Sequence, residues 1–324
     1  MTRERLERHQ VWCYLATLAL GLTVGTLWPA VGETVESLVW PTLALLLYAT
    51  FTQTPLTSIP TAFRDGRFLL TALLGNFVII PAVVWGLVAF APPDDALRLG
   101  LLLVLLVPCT DWFITFSQLG RGDATRATAL TPVSLLLQLL LLPAYLWLMS
   151  GAEFTTVFTP GQVWPALLVV LVPLGLAALT EFWSARRPEP ERIRQRLGWW
   201  PVPLLSVVIF LVAAAHVRAA RASIDLLPPV VAIAAAFLAA SLIVARILAT
   251  IARMPAAQGR TLAFSLGTRN SFIVLPFALA LPAGWEIAAL VIVVQSLVEL
   301  FGMIFCLWFV PRILFPDRPA SPTS

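Results

Sequence analysis

Pro108, Cys109, Thr110 and Asp111 stand together inside an apolar run that starts near Leu97 and ends near Leu119. A thiolate ligates soft centres, a hydroxyl hydrogen-bonds an oxygen and a carboxyl carries a proton. Holding these groups at bilayer depth in a smooth helix is costly. Proline removes an amide donor, and an ionisable group there must find partners. The tetrapeptide therefore predicts a helix break and a binding site. A second break, Gly267-Thr268-Arg269-Asn270-Ser271, lies between two apolar half-segments near the other end of the chain, with Pro276 close by. Paired interrupted segments in corresponding halves are the sequence pointer to the substrate site of a secondary transporter.

The elements that must position these residues follow from composition. Of 324 residues, 59% are hydrophobic and 12% charged, and the mean hydropathy is +0.90. That composition predicts an all-α polytopic membrane protein. All 21 basic residues are arginine and the net charge is +4. No contiguous basic stripe with interleaved aromatics exists, so nucleic acid is not an expected partner. Cys13, Cys109 and Cys306 are far apart, and His9 and His216 are the only histidines. Neither a disulfide framework nor a zinc site is indicated, and no cofactor is expected. No Ser/His/Asp set, H-E-x-x-H or phosphate loop points to an enzyme. Arg3, Arg5 and Arg8 precede an apolar run, but that run extends from Val11 to about Trp28 without a small-residue cleavage site. It reads as a first span, not a leader.

Apolar runs long enough to cross a bilayer fall near 11–30, 35–55, 68–91, 97–119, 127–149, 162–183, 200–217, 227–251, 260–282 and 285–310. Ten spans divide into five plus five. An odd number per half turns the second half over, which is the arithmetic of an inverted repeat, with the broken fourth and ninth spans in matching places. Residues 1–150 form the first repeat and 151–185 the helix opening the second. Residues 186–198 form an Arg-rich loop, 199–313 the remaining four spans and 314–324 a short tail. Arginines fall 17 to 3 across the two sides, with Arg269 left inside, so both termini are expected on the cytoplasmic side of the plasma (inner) membrane. No added soluble signalling domain is visible, which counts against a membrane receptor or sensor.

From Leu106 to Asp123 the sequence reads LVPCTDWFITFSQLGRGD. It resembles the fourth span of arsenite permeases of the Acr type, within the bile acid:sodium symporter superfamily. In those proteins a cysteine at the break precedes a short apolar helix and a Q-L-x-x-G-D exit. Cys109 falls on that cysteine, and Gln118, Leu119, Gly122 and Asp123 fall on the exit. Asn270-Ser271-Phe272 resembles the superfamily's N-N-F turn, and Leu297-Val298-Glu299 the L-V-E of its last span. One departure matters. Ile273 stands where the superfamily places a glutamate that helps hold sodium in sodium-coupled relatives, and Arg269 enters just before the turn. Ordinary sodium coupling is not expected.

The resemblance implies export of arsenite or antimonite against inward proton flow, with the lipid bilayer and protons as partners. Trivalent arsenic is thiophilic, so one thiolate can bind it transiently while hydroxyl and backbone groups hold its oxygens. Thr110, Thr268, Asn270 and Ser271 are candidates for that holding. The opposing reading makes Cys109 an inert buried hydrophobe. Asp111 and Arg269 have two readings, a proton carrier with its modulating cation or a permanent ion pair bolting the breaks together. A third makes Arg269 an attractor of anions, which suits an organic-anion symporter of bile-acid-like carboxylates, the alternative function. Trp112 places a large ring beside the first break. Gln295 and Glu299 share a face of the last span at i, i+4. Asn76 in the third span reads as interhelical packing.

Overall fold

The computed structural model describes residues 3–28, 30, 32–54, 65–150, 160–184, 196–222 and 224–317. Arg64, Arg186, Arg187, Arg192, Arg194 and Arg318 of the charge asymmetry lie outside the described residues, as do the side chains of Arg3, Arg5 and Arg8. Among the described residues the secondary structure is helical apart from one isolated β-bridge. In chain order the principal helices are α1 (Arg3–Leu27), α2 (Gly32–Phe51), α3 (Gly66–Val88) and α4 (Asp95–Leu105). They continue with α5 (Trp112–Leu119), α6 (Ala124–Ser150), α7 (Pro160–Ser184) and α8 (Pro201–Ala215). The last four are α9 (Leu227–Ile251), α10 (Ala256–Gly267), α11 (Ser271–Leu279) and α12 (Ile287–Phe309). Five stretches, within or extending α3, α6, α7, α9 and α12, are long and apolar enough to cross a membrane, and α1, α2 and α8 contain shorter apolar helices. The protein is a multi-pass membrane protein. The two expected breaks are present, as the pairs α4/α5 and α10/α11.

Short polar residues start several helices. Asp65 caps α3 by accepting from Phe68 N at 3.1 Å, and Asp94 caps α4 from Leu97 N at 2.8 Å. Each carboxylate satisfies one of the orphan amides of a first turn. Within α3, Pro81 has no N–H for the carbonyl of Phe77, and the helix widens to a π-turn over Gly75–Ile79. The Tyr145 hydroxyl donates to that carbonyl instead. The wider turn presents Asn76 inward, fully buried.

α1, α8, α2 and α7 pack in succession as one group; α12 packs on α4 and α9, and α9 on α10, as another. The first group is joined through glycine. A Cβ on Gly21 would stand 2.5 Å from the Phe210 carbonyl oxygen, and one on Gly25 2.3 Å from that of Ala214. Gly21 and Gly25 thus form a G-x-x-x-G face that brings the backbones of α1 and α8 together.

α5 and α9 end alike. Gly122 N donates to Ser117 O at 2.6 Å and Arg121 N to Gln118 O at 3.2 Å; Met254 N and Arg253 N bond Ala249 O and Thr250 O in the same pattern. These are Schellman closures, whose penultimate donor sits in the left-handed region. Arg121 (φ 58°) and Arg253 (φ 47°) occupy it here. Arg253 is exposed, so Arg253→Gly is expected to raise stability by about 1 kcal/mol. A thermal midpoint no higher than wild type would refute this.

Candidate functional site

Where α4 and α10 stop, their chains run extended past each other. Cys109 N donates to Thr268 O at 3.1 Å and Asn270 N to Val107 O at 2.8 Å, an isolated antiparallel bridge opposing Pro108 to Arg269. In this pattern the opposed pair makes no ladder bonds of its own. The missing N–H of Pro108 therefore costs nothing, and the N–H of Arg269 is left to donate sideways, to Glu299 Oε2 at 2.9 Å.

Side chains extend the junction. Asn270 Oδ1 caps α11 by accepting from Ile273 N at 3.3 Å, and its Nδ2 donates to Thr110 Oγ1 at 2.9 Å. One amide thus starts a helix and ties the two breaks. The Thr268 hydroxyl donates back to Phe264 O at 2.7 Å. Ser296 Oγ lies 2.6 Å from Ser271 Oγ, and Ser271 Oγ 3.4 Å from Gln295 Oε1. Gln295 Nε2 donates to Glu299 Oε2 at 2.8 Å. Thr110, Thr268, Asn270, Ser271, Gln295 and Glu299 are all buried, as is Cys109.

Arg269 is 2% exposed. Its Nη1 donates to Leu105 O at 3.3 Å. Its Nη2 lies 2.8 Å from Leu266 O, 3.0 Å from Asn76 Oδ1 and 3.2 Å from Ser265 O. The ring of Phe237 lies 5.2 Å beneath its Cζ, within cation–π range. Leu105, Ser265 and Leu266 are in the closing turns of α4 and α10, so the cation meets the negative ends of two helix dipoles.

Asp111 and Trp112 face a different environment. Asp111, half-buried, lines a small open cavity with Gln10, Trp112, Thr115, Phe116 and Gly198. A second small cavity lies between α1 and α8 on one side and α5, α11 and α12 on the other, with Ser271 and Ser296 in an apolar lining. Trp112 lines both. Its ring stacks on Tyr14 at 6.2 Å and meets Phe272 edge-on at 5.2 Å. Cys109 lines neither of these two cavities.

At the end of the bundle where α5 exits, Asp65, Asp123 and Arg126 join α3 to α6. Arg126 Nε donates to Asp65 Oδ2 at 2.8 Å and Nη1 to Asp123 Oδ2. Asp123 N donates to Thr261 Oγ1 of α10 at 2.7 Å. The Phe68 amide, helped by Arg126, holds the Asp65 carboxyl below its ordinary 3.8 against partial desolvation. A depressed folded value means the contribution is complete above pH 3.8 and disappears as pH falls through the lower folded value. Asp65→Asn keeps the cap but not the charge. At pH 7 it is expected to melt lower by about 0.5–1 kcal/mol, with the gap closing in acid. A gap that stays constant as pH falls below 3.8 and through the acid range would exclude the ion pair as its source.

The structure brings Cys109, Thr110, Thr268, Arg269, Asn270, Ser271, Gln295 and Glu299 to one junction. Asn76, Ser265 and Ser296 belong to it as well. The sequence reading made Asn76 a link between helices, and it is one, donating to Ser265 Oγ of α10 at 3.0 Å; what that reading lacked is that Asn76 also accepts from Arg269. The nearby Pro81 was the available signal. Ser296 could have been found beside Gln295, one residue before it.

Residues 40–221, more than half of the chain, match the model of the Sodium Bile acid symporter family. The chain is 24% identical over 285 residues to the Arsenical-resistance protein Acr3 of Corynebacterium glutamicum, covering 80% of this chain and 75% of that protein. It is 27% identical over 255 residues to the P3 protein of Homo sapiens and 26% over 248 to that of Mus musculus, covering 69% of this chain in each case. It spans 50% and 51% of those two proteins. Two interrupted helices joined at a buried polar junction, in a chain of apolar helices matched over this length, identify it as a member of the Sodium Bile acid symporter family, a family of small-molecule transporters.

Proposed function

We propose that the protein is a secondary transporter exporting arsenite or antimonite in exchange for protons. The observation that carries this reading is a cysteine, Cys109, in the bridge between two broken helices, its amide bonded to Thr268 and the Asn270–Thr110 hydrogen bond tying the same two breaks. Arsenous acid condenses with the thiol to an S–As bond, releasing one water, and hydrolysis reverses the step on release. A single sulfur ligand leaves the complex labile. Thr110, Asn270 and Ser271 hold the remaining arsenic oxygens. Asp111, on the cavity wall, carries the proton, and Trp112 lines both cavities.

The proposed topology takes the five long apolar helices, the three shorter ones and the two interrupted pairs as ten crossings. They support a five-plus-five inverted repeat in the inner membrane with both termini in the cytoplasm. The similarity to an arsenical-resistance protein supports the substrate.

A second reading, uptake of an organic anion, is favoured by the apolar cavity with Ser271 and Ser296 in its wall. Everted vesicles carrying the protein decide between the two. Proton-driven accumulation of arsenite supports export. Its absence under both proton and sodium gradients, with accumulation of a bile-acid-like carboxylate, transfers the function to the second reading.

A further inference from the structure

Four oxygens converge on one point in the protein's interior, the carbonyls of Leu105, Ser265 and Leu266 and the amide oxygen of Asn76, each within 3.3 Å of an Arg269 terminal nitrogen. Two closing helix turns contribute about half a negative charge each. Glu299 stands beside them, bonded to the backbone of the same arginine, and its buried Oε1 has no partner among the described residues. Acceptors of this kind, without a matching number of donors, form a site for a hard cation. The guanidinium fills it from a side chain that starts on the extended bridge.

We infer that the junction of the broken helices is a monovalent-cation site whose occupant is the tethered guanidinium of Arg269, so that the wild-type protein needs no dissolved cation there and loss of that side chain opens the site to one. The bridge brings this about. Arg269 lies opposite Pro108, its backbone N–H turned to Glu299 and its side chain to the helix ends. The π-turn of α3 supplies the remaining acceptor, Asn76. A carrier built this way keeps its two broken helices neutralised in every step of its cycle, whatever the sodium concentration on either side. The inference does not depend on arsenite, because the site is complete without any substrate.

The test is thermal melting of purified protein in detergent, without substrate, in sodium chloride, in choline chloride of equal ionic strength, and with millimolar guanidinium added to choline. Wild type is expected to melt at one temperature in all three. Arg269→Ala is expected to melt lower in choline and to recover by about 5 °C in sodium or guanidinium. Arg269→Lys, which keeps a tethered charge, is expected to be blind to the salt. Should Arg269→Ala fail to fold, Arg269→Gln carries the same test, since it keeps bulk and donors but not charge. A neutral variant that melts alike in every salt overturns the inference. So does wild type that gains as much from sodium as the variant. Because no arsenite is present, failure here leaves the export reading standing, and failure of export leaves this result unaffected.

Discussion

Cys109→Ala is expected to reduce proton-driven arsenite accumulation in everted vesicles to the level of empty membranes. The side chain is buried and its backbone amide is one of the two bonds of the bridge. Alanine keeps that amide and removes only the sulfur, at a stability cost of about 1 kcal/mol. The folded population therefore survives, and the lost activity belongs to the S–As bond. Cys109→Ser sharpens the point, because a hydroxyl has nearly the same shape but is a poor ligand for a soft centre. It is expected to fail as alanine does. If serine retains transport, the thiol is not the ligand. If the carried species is instead a carboxylate, both variants keep wild-type uptake.

The largest expected effect on stability lies away from the site, at the α1–α8 seam. Gly25→Leu places a side chain where a Cβ alone would stand 2.3 Å from the Ala214 carbonyl oxygen. Backbone cannot yield as a flexible side chain does, so the helices must separate. Overpacking of this kind costs about 3 kcal/mol, or a fall of about 4 °C in the melting midpoint. Gly86→Leu is the control, since nothing stands within 4 Å of a Cβ there; it is expected to melt as wild type does. Equal midpoints for the two variants would mean that the glycine face does not hold α1 to α8.

Much of the fold was legible because bilayer depth makes polar residues expensive. Proline, a carboxylate or an arginine inside an apolar run has few explanations, and both breaks fall where such residues cluster. The i, i+4 spacing of Gln295 and Glu299 translated directly into a hydrogen bond of 2.8 Å. The partners of Arg269 were much less legible. Its charge pointed to another charge, and Asp111 was the obvious candidate. Helix-end carbonyls leave no mark in a sequence, yet three of them take the guanidinium. The bond from Arg269 to Asn76 was hidden for a related reason. A regular 3.6-residue period does not anticipate the π-turn that aims Asn76 inward, and only Pro81 hints at the disturbance. The two cavities were equally invisible, because Trp112, which lines both, stacks on Tyr14, a residue 98 positions away in the chain.

The bridge between the broken helices has a consequence for the idle carrier. Unwound backbone inside a bilayer ordinarily needs something to bond it, and in many binding sites that something is the cargo. Here Cys109 and Asn270 spend their amides on each other's strands, and Arg269 spends its own on Glu299. These three amides are satisfied from within. Their bonding does not depend on a passenger, so they impose no penalty on the empty carrier, and any tight coupling of outward and inward movement must come from the side chains.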